Sequence, residues 1–388
     1  LHDGKYFDVL HNGVRFNQYV GIIQVDGLSI EIKPKADKYD EDDRWHDVLI
    51  GMLKACGRIK AQSAGAAAVN KQNLNLLEVY FELYLAEISN LIHRGLIKQY
   101  RLETSNVKAL KGKLEFAGNI RHNLVHKERF YTAHQVYDSN HLLHQVLYQA
   151  VEIVEQFSKG TKLYDTCKRV ELSFPEVDKV KITPAKLNNI KLNRKSGQYS
   201  YALELARLII LNYSPDISTG KEKMLSILFD MNQLWEEYVL HKLRNYVDDH
   251  NLSYEITGQE SKDFWGSNSL RPDIVITDTE TKQVYIIDTK WKLPGSSSAS
   301  VQDLRQMYAY GRFWDAEKVM LMYPGDSYKK FKPFETDDYT IIGEDAPVGI
   351  THECKMGFVN VFNENDELDE NLGEKVLISL GVIEKQEA

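Results

Sequence analysis

The stretch RPDIVITDTETKQVYIIDTKWK, residues 271–292, decides how this chain is read. Two apolar runs, Ile274 to Thr277 and Val284 to Trp291, flank the polar segment Thr279 to Lys282, which is the pattern of a β-hairpin. Alternate residues of a strand share a face, so Asp288 and Lys290 point the same way. With Thr279 to Lys282 as the turn, symmetric pairing sets Val275 opposite Ile286 and Asp273 opposite Asp288. Directly opposed residues have Cβ atoms roughly 4.5–5.5 Å apart, where like charges destabilise. A divalent cation relieves that repulsion. Two carboxylates, a main-chain carbonyl such as that of Thr289, and waters form the hard oxygen environment that Mg²⁺ accepts, with Mn²⁺ as a substitute. Lys290, on the same face, is then placed to orient or help deprotonate a water and to counter charge developing on a phosphate. The expectation is hydrolysis without a covalent enzyme intermediate.

Working outward, the helix expected over Val301 to Trp314 carries Asp303, Gln306 and Tyr310 at i, i+3 and i+7, one polar stripe. Upstream, Trp235-Glu236-Glu237 lies in an otherwise apolar helix, Asn232 to Val247, and offers one of two glutamates as a further ligand. Strands expected at Ser253 to Thr257 and Lys318 to Tyr323 complete an alternation of strands and helices, which points to an α/β domain over 222–388.

The rest of the chain reads as two further parts, giving a mixed α/β and α+β multidomain protein. Residues 1–70 hold short strands (Lys5 to Leu10, Phe16 to Val25, Leu28 to Ile32) with turns at Asn12-Gly13 and Asp26-Gly27. An acidic loop, Asp37 to Asp43, a helix from Trp45 to Cys56 and a small-residue joint, Ala61 to Asn70, follow. Residues 71–221 are expected to be helix-rich: Leu74 to Ile92 stopped by Gly95, a strand-like Leu96 to Leu102, a helix capped by Ser139 and running to Phe157, and another from Gln198 to Leu211. Pro215 to Lys221 reads as a linker.

Charge is distributed unevenly. The formal net charge is −8, yet Glu335 to Ala388 carries 14 acidic and 3 basic residues, leaving +3 for residues 1–334. Two middle segments are basic, His93 to Arg129 with 9 Lys and Arg against 3 Asp and Glu, and Lys168 to Lys195 with 8 against 3. Such segments can follow a phosphate backbone. No apolar run is long enough to cross a membrane, and the N-terminal residues lack the basic, apolar and small-residue order of a signal peptide, although the start at Leu1 rather than Met leaves room for residues upstream. Cys56, Cys167 and Cys354 form no CxxC pair, which argues against a zinc site or disulfide framework and fits a reducing cytoplasm. Thr219-Gly220-Lys221-Glu222 lacks the earlier Gly and the Ser/Thr of a phosphate-binding loop, so nucleotide hydrolysis is not expected of this chain.

Asp273, then Asp288-Thr289-Lys290, then Gln306-Met-Tyr-Ala-Tyr310 resembles the PD-(D/E)XK nuclease signature with the QxxxY helix of its RecB-like branch. Asp230-Met-Asn-Gln-Leu-Trp-Glu236, Leu110-Lys-Gly-Lys-Leu114, the Tyr137-Asp138 to Asn140 segment and Ile30-Glu-Ile-Lys-Pro-Lys35 extend the resemblance to the McrC family, nuclease subunits of modified-cytosine-dependent restriction systems. The resemblance implies a restriction-endonuclease-like C-terminal domain that cuts double-stranded DNA. It also implies an N-terminal and middle part that engages an AAA+ GTPase, McrB, in a hetero-oligomer and stimulates its GTP hydrolysis. Asp273 and Asp288 match the metal ligands, Lys290 the motif lysine, Gln306 and Tyr310 the accessory helix, and Glu236 the helix glutamate. On this reading residues 1 to 60 are expected to be separable from the metal site.

Two alternatives share these residues: a stand-alone repair nuclease of the RecB-like kind, and a non-catalytic adaptor for a motor. Other motifs carry less. Glu31-Ile32-Lys33 repeats acid-x-Lys, but its upstream Asp26 is only five residues away across a tight turn. Histidines at 122, 126, 134, 141 and 144 suggest an HNH-type site, yet no cysteine or carboxylate pattern completes one, so structural or phosphate-contacting histidines are expected. The tyrosines of the middle region are read as core packing.

Overall fold

The computed structural model describes residues 6–25, 27–36, 44–60, 75–214, 223–292, 294, 299–327, 329–334 and 352–384. The acidic loop Asp37 to Asp43, the joint Ala61 to Asn70 and the linker Pro215 to Lys221 lie outside the described residues. The chain forms two compact units. One contains the described residues of Leu1–Gly21, Ile32–Ala61 and Leu228–Ala388; the other those of Ile22–Glu31 and Gln62–Ile227. Chain order and contact therefore divide the protein differently: the Trp45 helix, which follows the first strands in sequence, belongs by contact with the residues after 228.

At the N-terminus β1 (Phe7–Leu10) and β2 (Gly13–Phe16) close a hairpin on a His11-Asn12 turn, one residue earlier than the expected Asn12-Gly13, followed by β3 (Tyr19–Val25) and β4 (Leu28–Ile32). The single strand expected from Phe16 to Val25 is thus two, because Phe16 pairs back onto Phe7 and leaves Tyr19 to start afresh. Helix α1 (Arg44–Ala55) buries Trp45, Val48, Leu49, Met52 and Leu53, an i, i+3, i+4, i+7, i+8 stripe.

The unit of residues 62–227 begins its described part at α2 (Leu76–Arg94), whose capping box joins Asn75 to Glu78 and whose end is the Gly95 turn at φ +87°. A three-stranded sheet follows, built from β5 (Gln99–Val107), β6 (Lys113–Leu114) and β7 (Phe130–Asp138), with α3 (Phe116–Asn123) inserted and the order β5-β7-β6. Strand β7 is absent from the sequence reading. Its support is non-local, nine residue pairs with β5 from Gln99↔Asp138 to Val107↔Phe130. Helices α4 (Leu142–Phe157), α5 (Leu163–Ser173), α6 (Pro184–Asn188) and α7 (Ser200–Leu211) complete the bundle. The expected Ser139 cap is corrected: α4 starts after His141, which makes no side-chain cap bond, and Ser139 instead accepts from His144 through its carbonyl. His141 and His144 are buried with their rings 4.0 Å apart, and burial followed by the charge of His141 pushes His144 down to about 4. They pack the bundle, and among the described residues no three His, Cys, Asp or Glu side chains gather to hold a metal. Strands β8 (Tyr213–Ser214) and β9 (Met224–Asp230) join a sheet of order β4-β3-β9-β8.

The other unit is organised on a six-stranded sheet. Helix α8 (Met231–Asp249) precedes β10 (Tyr254–Gly258), a small hairpin β11 (Lys262–Trp265) and β12 (Asn268–Leu270), then β13 (Ile274–Asp278), β14 (Val284–Thr289), α9 (Val301–Trp314) and β15 (Lys318–Pro324). Strands β16 (Lys332–Pro333) and β17 (Glu353–Val359) and helix α10 (Leu372–Leu380) end the described chain. The order is β10-β13-β14-β15-β17-β16, antiparallel at both edges and parallel through β14, β15 and β17. Helix α9 packs on the sheet through Met307, Tyr310 and Trp314, in one core with Val275, Ile286, Val319 and Leu321. The C-terminal segment reads in sequence mainly as acidic, yet it supplies a buried parallel strand, β17, and a helix with Val376, Leu377 and Leu380 inside. Five of its acidic residues, at 364, 366, 367, 369 and 370, lie between those two elements. No described helix is long and apolar enough to cross a membrane.

Candidate active site

The hairpin forms in the register its sequence implies. Val275 pairs with Ile286 and Ile274 with Ile287, and the Asp278 N–H donates to the Gln283 carbonyl at 2.9 Å to close the four-residue turn. Asp273 enters one residue before the first of these pairs, beside Asp288. Because β14 lies between β13 and β15 and is covered by α9, Asp288 is only 1% exposed. Lys290 leaves the strand with its N–H donating to the Met322 carbonyl at 2.8 Å.

Each acidic group has a different environment. Asp273 Oδ2 accepts from both the Thr289 N–H, at 2.6 Å, and the Thr289 hydroxyl, at 2.9 Å. Asp288 Oδ2 is approached by the Lys290 ammonium as an ion pair but receives no aligned hydrogen bond. Burial, followed by the charge of Asp273, pushes Asp288 up to about 6. Burial alone would lower the Lys290 ammonium, but the Asp288 carboxylate outweighs it and holds that group above its ordinary value. A buried carboxylate oxygen without an aligned donor, next to a second carboxylate, is the arrangement a hard cation completes. The residues present fit Mg²⁺ on that ground. Two carboxylates are few, so a main-chain carbonyl and waters must fill the remaining positions, as Mg²⁺ commonly requires.

The two glutamates of α8 part ways. Glu236 lines the cleft with Asp273 and Lys290 and is raised to about 7 by burial first and Asp273 second. Glu237 is held away by Arg58, whose guanidinium donates to both of its oxygens at 2.8 and 3.0 Å. The polar stripe of α9 also divides. Asp303 pairs with Lys292 at 3.1 Å, whereas Gln306 donates to the Tyr310 hydroxyl at 2.7 Å, which donates to the Arg271 carbonyl at 3.0 Å. Gln306 and Tyr310 therefore brace the turn that delivers Asp273, with Tyr310 itself buried.

The open cleft, about 590 Å³, is lined by Asp273, Thr289, Lys290, Glu236, Arg271 and Lys292, together with Gln259 and the start of α8. Sequence reasoning missed Gln259, Arg271 and Lys292 as lining residues. Arg271 and Lys292 bracket the motif stretch and could have been found there, but nothing local marks Gln259.

The expected independence of residues 1 to 60 from this site is corrected. Trp291, next to Lys290, meets Trp45 of α1 at 6.1 Å and Trp235 at 5.1 Å between ring centroids, both edge-on. Arg58, from the same N-terminal segment, is what holds Glu237. The N-terminal helix is part of the packing behind the candidate site.

Residues 14–324 match the model of a family described as McrBC 5-methylcytosine restriction system component. Over 251 residues, 61% of this chain and 72% of the relative, the chain is 20% identical to the type IV methyl-directed restriction enzyme EcoKMcrBC of Escherichia coli strain K12. Among solved structures it is similar to a chain of the refined half-complex from a tetradecameric assembly of Thermococcus gammatolerans McrB AAA+ hexamers with bound McrC. That similarity has a TM-score of 0.68 at 20% identity and covers 97% of this chain and 86% of that chain.

Proposed function

The chain belongs to the McrBC 5-methylcytosine restriction system component family, and from that premise we propose that it is the DNA-cutting subunit of such a system. It hydrolyses phosphodiester bonds with Mg²⁺ through a PD-(D/E)XK-type domain, in complex with an AAA+ GTPase whose turnover it stimulates. The observation that carries the chemistry is the buried Asp288, its Oδ2 lacking an aligned donor, behind Asp273 and Lys290, which line an open cleft. Asp273, Asp288 and the Thr289 carbonyl would hold the metal ion. When bound, Mg²⁺ acts as a Lewis acid and lowers the pKa of a coordinated water.

The remaining work falls to the chain's own side chains. Arg271 and Lys292, which line the cleft, bind phosphate oxygens and seat the strand. Lys290 orients the attacking water and offsets charge on the phosphate as it develops, and Glu236 faces the same space as an accessory acid. Tyr310 and Gln306 act at one remove, through the Arg271 carbonyl.

In the presence of the partner GTPase and GTP, duplex DNA carrying modified cytosine should be cut in Mg²⁺ or Mn²⁺. Cleavage should stop in excess chelator. Undiminished cutting under chelation, followed on a gel, would exclude the metal mechanism.

Partner engagement is supported by an apolar face in the unit of residues 62–227. Tyr100 and Tyr137 sit directly opposite one another on β5 and β7 with rings 4.8 Å apart, and Leu102 lies two residues on; they are 71%, 55% and 72% exposed. An exposed apolar sheet face of this kind marks a protein contact. This favours a protein partner over DNA for the surface near the basic segment His93 to Arg129. Leu102→Asp with Tyr137→Asp should leave the fold intact, since both side chains are already in water, and should cut stimulation of GTP turnover at least about tenfold, the equivalent of about 1.4 kcal/mol. Unaltered stimulation would move the partner surface elsewhere.

A further inference from the structure

Gln259 follows β10 in a left-handed backbone conformation, φ +54°, which few residues other than glycine adopt. Such a conformation costs free energy and persists where the surroundings over-determine it. Two contacts do so here. The Gln259 N–H donates to the Asp273 carbonyl at 2.9 Å, and its side-chain amide donates to Glu236 Oε1 at 2.8 Å. One residue thus ties the strand that delivers a candidate metal ligand to the helix that delivers the cleft glutamate. Its predecessor eases this reach: a Cβ at Gly258 would lie 2.5 Å from a Leu240 methyl of α8, so a side chain there would have to displace Leu240.

Resting on the nuclease reading above, we infer that Gln259 is a positioning residue that holds the Glu236 carboxylate toward the cleft in register with Asp273. The side-chain amide fixes the direction of Glu236; the backbone N–H secures the peptide at Asp273. A purely structural residue at this place would be better filled by glycine, which adopts positive φ without strain.

That contrast gives the test. Gln259→Gly keeps the N–H bond to Asp273 and relieves the backbone, so the full chain in complex with its partner should be at least as thermally stable as wild type. Its cleavage rate should nonetheless fall about tenfold, with the DNA concentration for half-maximal rate within about twofold, because the loss lies in the reacting arrangement rather than in binding. Gln259→Asn, which tolerates the left-handed conformation and keeps a shorter amide, should recover part of the rate. In Glu236→Ala, adding Gln259→Gly should cost less than twofold more, since the carboxylate that Gln259 orients is already gone. Wild-type cleavage by Gln259→Gly, or losses that multiply in the double variant, would overturn the assignment. Asp288→Ala serves as the reference: if it is inactive while Gln259→Gly is normal, only the role of Gln259 fails, and if Asp288→Ala cuts normally, the site itself has been misassigned.

Discussion

Replacing Asp288 by alanine should reduce metal-dependent DNA cleavage by about 10³-fold or more while leaving the chain folded. One carboxylate cannot supply the charge and geometry of two, and the hydrolytic water would lose its activation. Folding should survive because both burial and Asp273 disfavour the ionised Asp288 side chain, so its removal relieves an electrostatic cost in the metal-free protein. Asp288→Asn keeps the side-chain volume and should behave alike. The decisive reading is thermal. A ligand that binds only the folded chain stabilises it by about 2.7 kcal/mol at a hundredfold excess over its dissociation constant. Wild type should show such a rise in Tm with Mn²⁺, and the variant should not. A variant with the same metal-induced shift, or with cleavage intact, would remove Asp288 from the site.

Lys290→Ala should separate chemistry from partner engagement. Lys290 is partly exposed at the cleft and follows β14, outside the hairpin pairing, so its truncation leaves the hairpin register and the tryptophan packing of its neighbour undisturbed. Cleavage should fall about 10²–10³-fold, the effect of losing one well-placed group that stabilises developing charge. The Mn²⁺ shift in Tm should remain, because the two carboxylates remain. Stimulation of the partner's GTP hydrolysis should also remain, since it is assigned to the sheet face of Tyr100, Leu102 and Tyr137. GTP turnover and DNA nicking, measured in parallel with wild-type and variant chains, decide the matter. Equal loss of both activities in a folded variant would contradict the division of labour, and normal cutting would contradict the role of Lys290. Deleting residues 1 to 60 is the wrong instrument for this question. It would remove Trp45 from Trp291 and Arg58 from Glu237, and so disturb the site from behind.

The hairpin, its turn and its register were legible because every signal for them is local: alternation, a four-residue polar turn and two carboxylates placed symmetrically about it. Helix α9 was legible for the same reason, with Ser300 capping it through the Asp303 N–H. What stayed hidden is set by partners far away in sequence. Strand β7 depends on β5; β17 depends on β15 and was masked by the acidic residues around it. The choice between Glu236 and Glu237 could not be made from α8 alone, because the arginine that claims Glu237 lies 179 residues earlier. Gln259 is invisible in the same way: its two contacts reach forward to the strand-entry residue and back to the helix.

The unit that bears the cleft is stitched from segments far apart in sequence, Leu1–Gly21, Ile32–Ala61 and Leu228–Ala388, with most of the other unit, Gln62–Ile227, falling between them along the chain. This sets an order of events during synthesis. The tryptophan of α1 emerges early, but α8 comes nearly two hundred residues later, and the parallel strand β17 and helix α10 come last of all. At roughly 5–20 residues per second, the interval from α1 to α10 is on the order of 15–60 s, during which the other unit can fold by itself. A ribosome-bound or prematurely terminated chain would therefore present the exposed face of Tyr100, Leu102 and Tyr137 before it owns a finished candidate site. On the proposed function, fragments from incomplete translation should be unable to cut DNA.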